Sequence, residues 1–328
     1  MAAATTQFCG PPPTTWLTDT AREFGCGIKW GRIKGKMFPA PTTRNRMKLA
    51  RLGAPGAEIP VLVVGDSYFD LRGTVPDIGP ATLAAGALDS IRAAVEAGDL
   101  PLLVGAENMR VGSPVARPGA LLCIGMNYAG HARESGSEPP TSPVLFLKTP
   151  NTVGGPYDAV DIPRRSRKTD WEVELGIVIA APALYLDSPA DSAAHIAGYV
   201  LANDLSEREF QLEISGGQWS KGKSAPGFSP LGPWLVTPDE LDPSSLRLRS
   251  WVNGEPRQDS STADLIFPVD YIVWYLSQFL ALEPGDVILT GTPEGVALSG
   301  RFPYLAAGDM VEVEIDGLGR QRQVFGQA

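Results

Sequence analysis

Trp171-Glu172-Val173-Glu174-Leu175-Gly176-Ile177-Val178-Ile179 is the stretch that says most about the fold. Read with the two-residue period of a strand, it places Trp171, Val173, Leu175 and Ile177 on one face and both carboxylates on the other. The second face continues as Gly176 and Val178, so the carboxylate pair is expected where the strand emerges from a core. Neighbouring carboxylates in such a place need a cation or a shared proton. A solvated strand face is the plain alternative, because Glu-x-Glu by itself is a weak pattern.

More strands are predicted on both sides of this run: 121–125, 144–148, 199–204, 234–237, 247–252, 287–290 and 311–315, with turns at Pro284-Gly285-Asp286 and Ala307-Gly308-Asp309 before two of them. The longest helix candidate in this part of the chain is 268–282. No regular βαβ alternation is present, which argues against Rossmann and TIM-barrel folds and for a β-rich α+β domain over residues 117–328. Ahead of it, residues 47–116 hold short strand-like runs (47–51, 59–64, 68–71) and one amphipathic helix from Ala81 to Ala97, and these form a small N-terminal α+β domain. Residues 1–46 read differently again. They carry seven Lys/Arg against Asp19 and Glu23, a net charge of +5, and proline clusters at 11–13 and 39–41. They are expected to be a flexible extension, or to precede a true start at Met47, with an organellar transit peptide the weaker option.

The 328-residue chain contains 36 Gly and 30 Pro, about a fifth of the sequence, which rules out an all-helical bundle. No apolar run reaches the roughly 18 residues that a membrane-spanning helix needs. A net charge of -9, with no basic stripe, makes nucleic acid and anionic membranes unsuitable partners and small molecules the expected ones. Cys9, Cys26 and Cys123 are odd in number and without a CxxC pair, which argues against a disulfide framework or a thiolate zinc site and fits a cytoplasmic protein. With only His131 and His195 available, a metal centre must be built mainly from carboxylates, which favour Mg2+, Mn2+ or Ca2+.

Four other segments carry chemistry. In 199–209 a strand ends at Asn203-Asp204, and Ser206 with Glu209 is expected to cap a following helix. Asp204 at that junction can supply a third carboxylate, or simply bond turn amides. In 125–134, a helix would set His131 and Glu134 at i and i+3, either as a general base with its orienting carboxylate or as a surface ion pair. His195 lacks polar neighbours and reads as structural. The loop Trp219-Ser220-Lys221-Gly222-Lys223-Ser224 offers a cation to an anionic substrate, and Thr290-Gly291-Thr292-Pro293-Glu294-Gly295 offers a hydroxyl and amides for a carboxylate; solvated surface and a plain turn compete with these readings.

In their order along the chain, these motifs resemble the fumarylacetoacetate hydrolase family over roughly residues 118–324. The resemblance rests on 123–128 with His131 and Glu134, on Asp170-Trp171-Glu172-Val173-Glu174-Leu175, on Asn203-Asp204-Leu205-Ser206-Glu207-Arg208, on Lys221-Gly222-Lys223-Ser224 and on Thr290-Gly291-Thr292-Pro293. It implies a mixed β-roll, usually homodimeric, with Glu172, Glu174 and Asp204 as ligands of Mg2+ or Mn2+. It further implies His131 and Glu134 as a catalytic dyad, Lys223 as a catalytic cation, and Arg208, Gln211 and Thr292 as substrate contacts. Residues 168–171, 232–237 and 276–279 look nearest to bacterial members described as 2,4-diketo-3-deoxy-L-fuconate hydrolase or ureidoglycolate lyase. One departure is Pro226, where many relatives carry Asp. The implied reaction is hydrolysis of a C–C bond in a short 2,4-dioxo acid to pyruvate and a carboxylate. Oxaloacetate decarboxylation, enol isomerisation and ureidoglycolate cleavage are the alternatives at the same kind of site, and a metal-stabilised binding protein remains if His131 points away.

Overall fold

The computed structural model describes residues 30–33, 36–39, 47–136 and 138–328. Within the N-terminal segment, Trp30–Ile33 and Lys36–Pro39 pair as antiparallel strands. Its other residues, Cys9 and Cys26 among them, lie outside the described residues.

From Met47 on, the chain is β-rich. A nine-stranded sheet runs in the order Ser67–Asp70, Ile59–Val64, Lys48–Leu52, Leu235–Val236, Ile196–Asn203, Val173–Ile179, Val287–Leu289, Leu121–Gly125, Val144–Lys148. Its pairs are antiparallel except Val287–Leu289 with Leu121–Gly125. The first three of these strands belong to residues 47–116 and join the sheet through Leu49↔Leu235. A five-stranded sheet orders Glu255–Ser261, Arg247–Val252, Met310–Ile315, Gly319–Gln327 and Val160–Ile162.

The main core lies where these sheets face one another. Val173, Leu175, Ile177, Tyr199 and Leu201 pack with Leu248, Val311, Val313, Ile315 and Phe325, and Ile272 and Leu276 of the helix Val269–Ser277 join them. Strand Val173–Ile179 is buried at every position, on the glutamate face as well as the apolar one. The carboxylates therefore do not mark a strand leaving the core; they lie inside the protein.

Two local expectations change. The predicted helix 81–97 is two helices, Pro80–Ala84 and Ala87–Ala97, because Gly86 takes a left-handed conformation (φ 78°) that an α-helix cannot continue through. Ser206 caps no helix. It lies in the strand pair Thr169–Asp170 with Ser206–Glu207, its hydroxyl donates to the Asp204 carbonyl at 3.0 Å, and a π-helical turn follows at Glu209–Glu213.

Candidate metal centre and active-site cavity

Strand register assembles the acidic cluster. Val173 pairs with Asn203 and Glu174 with Ala202, and the Asp204 amide donates to the Glu172 carbonyl at 2.9 Å. Glu172 and Glu174 therefore share one face of their strand, with Asp204 just past the end of its neighbour. One carboxylate oxygen from each of Glu172, Glu174 and Asp204 lies within 4.8 Å of the others, and all three side chains are buried.

Three cations hold this acidity inside the fold. The Lys223 ammonium donates to Glu172 Oε2 at 2.6 Å and to Asp204 Oδ2 at 2.7 Å. Arg208 donates through Nε to Asp170 Oδ2 at 2.8 Å, through one terminal nitrogen to Glu172 Oε1 at 2.7 Å, and through the other to Gln211 Oε1 at 3.0 Å. Lys148 bonds Asp204 Oδ1 and the carbonyls of Leu205 (3.1 Å) and Phe228 (2.7 Å). Burial alone would raise the Glu172 pKa, but Lys223 and Arg208 outweigh it and hold this carboxyl at about 2. Glu174 goes the other way. Burial, with Asp204 and Glu172 close by, pushes it well above the usual carboxylate range, although the Gly291 amide donates to its Oε2 at 2.8 Å.

This donor set fits a divalent cation. Three buried oxygen ligands suit hard ions such as Mg2+ or Mn2+, and Glu174, driven toward its protonated form by its neighbours, is a group for which a cation would replace a proton. Lys223 already bridges two of the three carboxylates with a positive charge.

A cavity of about 200 Å³ opens beside the cluster, lined among others by His131, Glu172, Glu174, Arg208, Gln211, Lys223 and Thr292. His131 stands on the helix Ala129–Ser135 with Glu134 on the same side. Its Nδ1 is 3.6 Å from Glu134 Oε2, beyond hydrogen-bond length, and has no partner. Glu134 is bonded to the Gly295 amide (3.1 Å) and Arg301 (2.8 Å). Asn127 pins the approach to this helix: its amide donates to the carbonyls of Thr290 (2.8 Å) and Phe267 (3.1 Å), and its Oδ1 accepts from the Phe267 amide (2.8 Å).

Two expected substrate contacts are arranged differently from the sequence reading. Lys223 is on a short helix, Ser220–Lys223, not an open loop, and its ammonium faces the carboxylates. The Thr292 hydroxyl donates to the Val173 carbonyl at 2.9 Å and accepts from Gln258 Nε2 at 2.8 Å, so its proton is committed to the strand that carries Glu174. Gln211 gives its oxygen to Arg208 and leaves its amide nitrogen without a hydrogen-bond partner among the described residues. His195 does not line this cavity; its Nδ1 lies 3.3 Å from the Ala181 carbonyl.

Sequence reasoning assigned no role to Lys148 or Asp170. Asp170 accepts from the amides of Trp171 (2.9 Å), Ala297 (2.8 Å) and Leu298 (3.0 Å) as well as from Arg208, tying the cavity rim to the acidic strand. The signal for Lys148 was a lysine closing the apolar run Val144-Leu145-Phe146-Leu147, which a snorkelling surface residue would match equally well.

Residues 120–325 match the family model for the C-terminal domain of fumarylacetoacetate hydrolase. A Burkholderia multivorans relative, named as a hydrolase with no substrate stated, is 47% identical over 283 residues, 85% of this chain and 98% of its own length. The solved fumarylacetoacetate hydrolase of Exiguobacterium antarcticum superposes with a TM-score of 0.75 at 32% identity, covering 86% of this chain and 100% of that one. The 5-carboxymethyl-2-hydroxymuconate delta-isomerase of Mycobacterium smegmatis gives 0.68 at 32%, covering 86% and 99%. The chain belongs to the fumarylacetoacetate hydrolase family, an enzyme family, and has its β-rich fold. Among the described residues, no helix is long and apolar enough to cross a membrane.

Proposed function

We propose that this protein is a metal-dependent hydrolase that cleaves the C–C bond of a short 2,4-dioxo acid to give pyruvate and a second carboxylate. One observation carries the reading: Glu172 and Glu174, clustered with the buried Asp204, line a cavity whose wall also bears a histidine with an unpartnered ring nitrogen. Glu172, Glu174 and Asp204 would hold Mg2+ or Mn2+, which would supply a Lewis acid for the 2-oxo acid end of the substrate.

The residues of the chain do the rest. His131 takes a proton from water as the water oxygen bonds to C4, and Glu134 stabilises the resulting imidazolium across the gap between them. The C3–C4 bond then breaks, its electron pair passes into the 2-oxo acid fragment, and C3 takes up a proton to give pyruvate while C4 leaves as the carboxylate. The free Gln211 amide supplies a donor for negative charge developing on the substrate, while Lys223 holds Glu172 and Asp204 together beneath it. Arg208 holds Glu172, Asp170 and Gln211 in place, and Thr292 fixes the strand beneath them. Decarboxylation of oxaloacetate would leave His131 without an attacking water, which ranks it second.

The same reading carries a cytoplasmic homodimer, which light scattering coupled to gel filtration tests for assembly. For the reaction, the measurement is turnover with Mg2+ or Mn2+ in oxygen-18 water. Hydrolysis places the label in the released acyl carboxylate. Pyruvate and carbon dioxide from oxaloacetate, or an isomerised enol without label, as the efficient product would displace the hydrolase reading.

A further inference from the structure

Resting on the hydrolase reading, the cavity says more about which 2,4-dioxo acid fits. Besides the charged floor it is lined by Ile124, Met126, Phe146, Leu212, Trp219 and Leu298. Phe146 and Trp219 are in aromatic contact, with ring centroids 5.5 Å apart and planes at 60°. Gly125 makes room for this wall, because a Cβ there would lie 2.5 Å from the Trp219 ring. The Lys223 ammonium stands 5.1 Å from the Phe146 ring centroid, so the aromatic wall begins directly beside the polar floor. Leu212 and Leu298 are 45% and 37% exposed, apolar side chains facing solvent while lining the cavity.

Among the described residues that line the cavity, no cation is left uncommitted. Arg208 and Lys223 line the cavity, but their charges are bonded to Asp170, Glu172 and Asp204. His131 is the remaining basic group on the lining, and the reaction uses it. A substrate with its 2-oxo acid end on the floor must lay its acyl end along Phe146, Trp219, Leu212 and Leu298. A second carboxylate there would lose water without gaining a counter-charge, and a chain of hydroxyls would lose hydrogen bonds. An alkyl or aryl group would gain apolar burial. We propose that the protein selects 2,4-dioxo acids whose acyl end is apolar and uncharged, in preference to dicarboxylic substrates and diketo sugar acids. The pocket would thereby differ from that of the Mycobacterium smegmatis relative, whose named substrate bears a carboxymethyl group.

The test compares kcat/KM for 2,4-dioxopentanoate, its butyl-extended and phenyl analogues, a 2,4-dioxo acid ending in a carboxylate and a 2,4-diketo-3-deoxy sugar acid. Expected is a rise of up to about fourfold per added methylene and a disadvantage of roughly tenfold or more for the carboxylate-ended compound. Leu212→Arg should shift the ratio of carboxylate-ended to alkyl substrate upward by roughly tenfold, a ratio that a general loss of activity would not move. Calorimetry with N-butyl oxamate and N-carboxypropyl oxamate in the presence of Mg2+ reads the same preference without turnover. Preference for the carboxylate-ended or the sugar acid substrate would overturn the selectivity and leave the hydrolase reading standing. Failure to cleave any 2,4-dioxo acid, with oxaloacetate turned over, would overturn both.

Discussion

Glu174 and Arg208 are the residues whose replacement tells most about the buried charge. Glu174 is pushed toward its protonated form by burial and by the charges of Asp204 and Glu172, so as a carboxylate it is useful chiefly to a bound cation. Glu174→Gln keeps an acceptor for the Gly291 amide and removes the negative ligand. The expected result is a loss of Mg2+ or Mn2+ affinity of roughly a hundredfold or more, measured by calorimetry; unchanged affinity would remove Glu174 from the ligand set. Arg208 is different in kind, because its planar fork meets three acceptors at once and an ammonium cannot reproduce that geometry. Arg208→Lys should leave a buried acceptor unpaired and lower stability by about 1–3 kcal/mol, read from denaturant melts. A melt within error of the wild type would mean that the pairing contributes little.

The short helix Ala129–Ser135 presents the proposed base, and its test separates chemistry from metal binding. His131→Ala should lower turnover by roughly a hundredfold or more while calorimetric metal affinity stays near the wild-type value; full activity would exclude His131 as the base. Much of this arrangement was legible from sequence where local pattern and tertiary setting agree. The runs 121–125, 144–148 and 247–252 are strands with the expected limits, since their apolar periodicity survives in packing. Where pattern alone had to decide, it could not. Val311-Glu312-Val313-Glu314-Ile315 repeats the alternation of the acidic strand, yet its glutamates pair with Arg320 and Arg249 on a partly exposed face. Only the neighbours across the sheet distinguish the two. The same limit explains Lys223 and Thr292: residue type announces a cation or a hydroxyl, but the partner that captures it lies fifty-one residues away for Glu172 and Lys223, and 119 for Thr292 and Val173. Helix 81–97 failed for a local reason, a glycine whose left-handed conformation sequence permits but does not require.

Among the described residues most of the buried charge gathers in one place, with Arg51 and Asp286 buried elsewhere. Lys148, Asp170, Glu172, Glu174, Asp204, Arg208 and Lys223 form a single network beneath the cavity, so the pH dependence of stability should report on the site. Glu172 and Glu174 act in opposite senses. Glu172, held at about 2 against an ordinary 4.5, contributes stability above pH 4.5 that is lost as the pH falls toward 2. Glu174, raised above its ordinary 4.5, keeps its proton in the folded state at pH values where the unfolded chain has released it. Its contribution is complete below 4.5 and is lost as the pH rises toward the folded-state value, at a rate of at most about 1.4 kcal/mol per pH unit. Chelator-treated protein should therefore lose stability relative to Glu174→Gln as the pH rises above the ordinary carboxylate range. Saturating Mg2+ should reverse the order, because a cation in the cluster takes the place of the proton and stabilises the folded state by mass action. Thermal melts of both proteins over that rise in pH, with chelator and with Mg2+, measure the difference directly. Parallel curves for wild type and Glu174→Gln in chelator would show that Glu174 does not carry this linkage, and a Mg2+ stabilisation equal in the two proteins would show that the cation is bound without it.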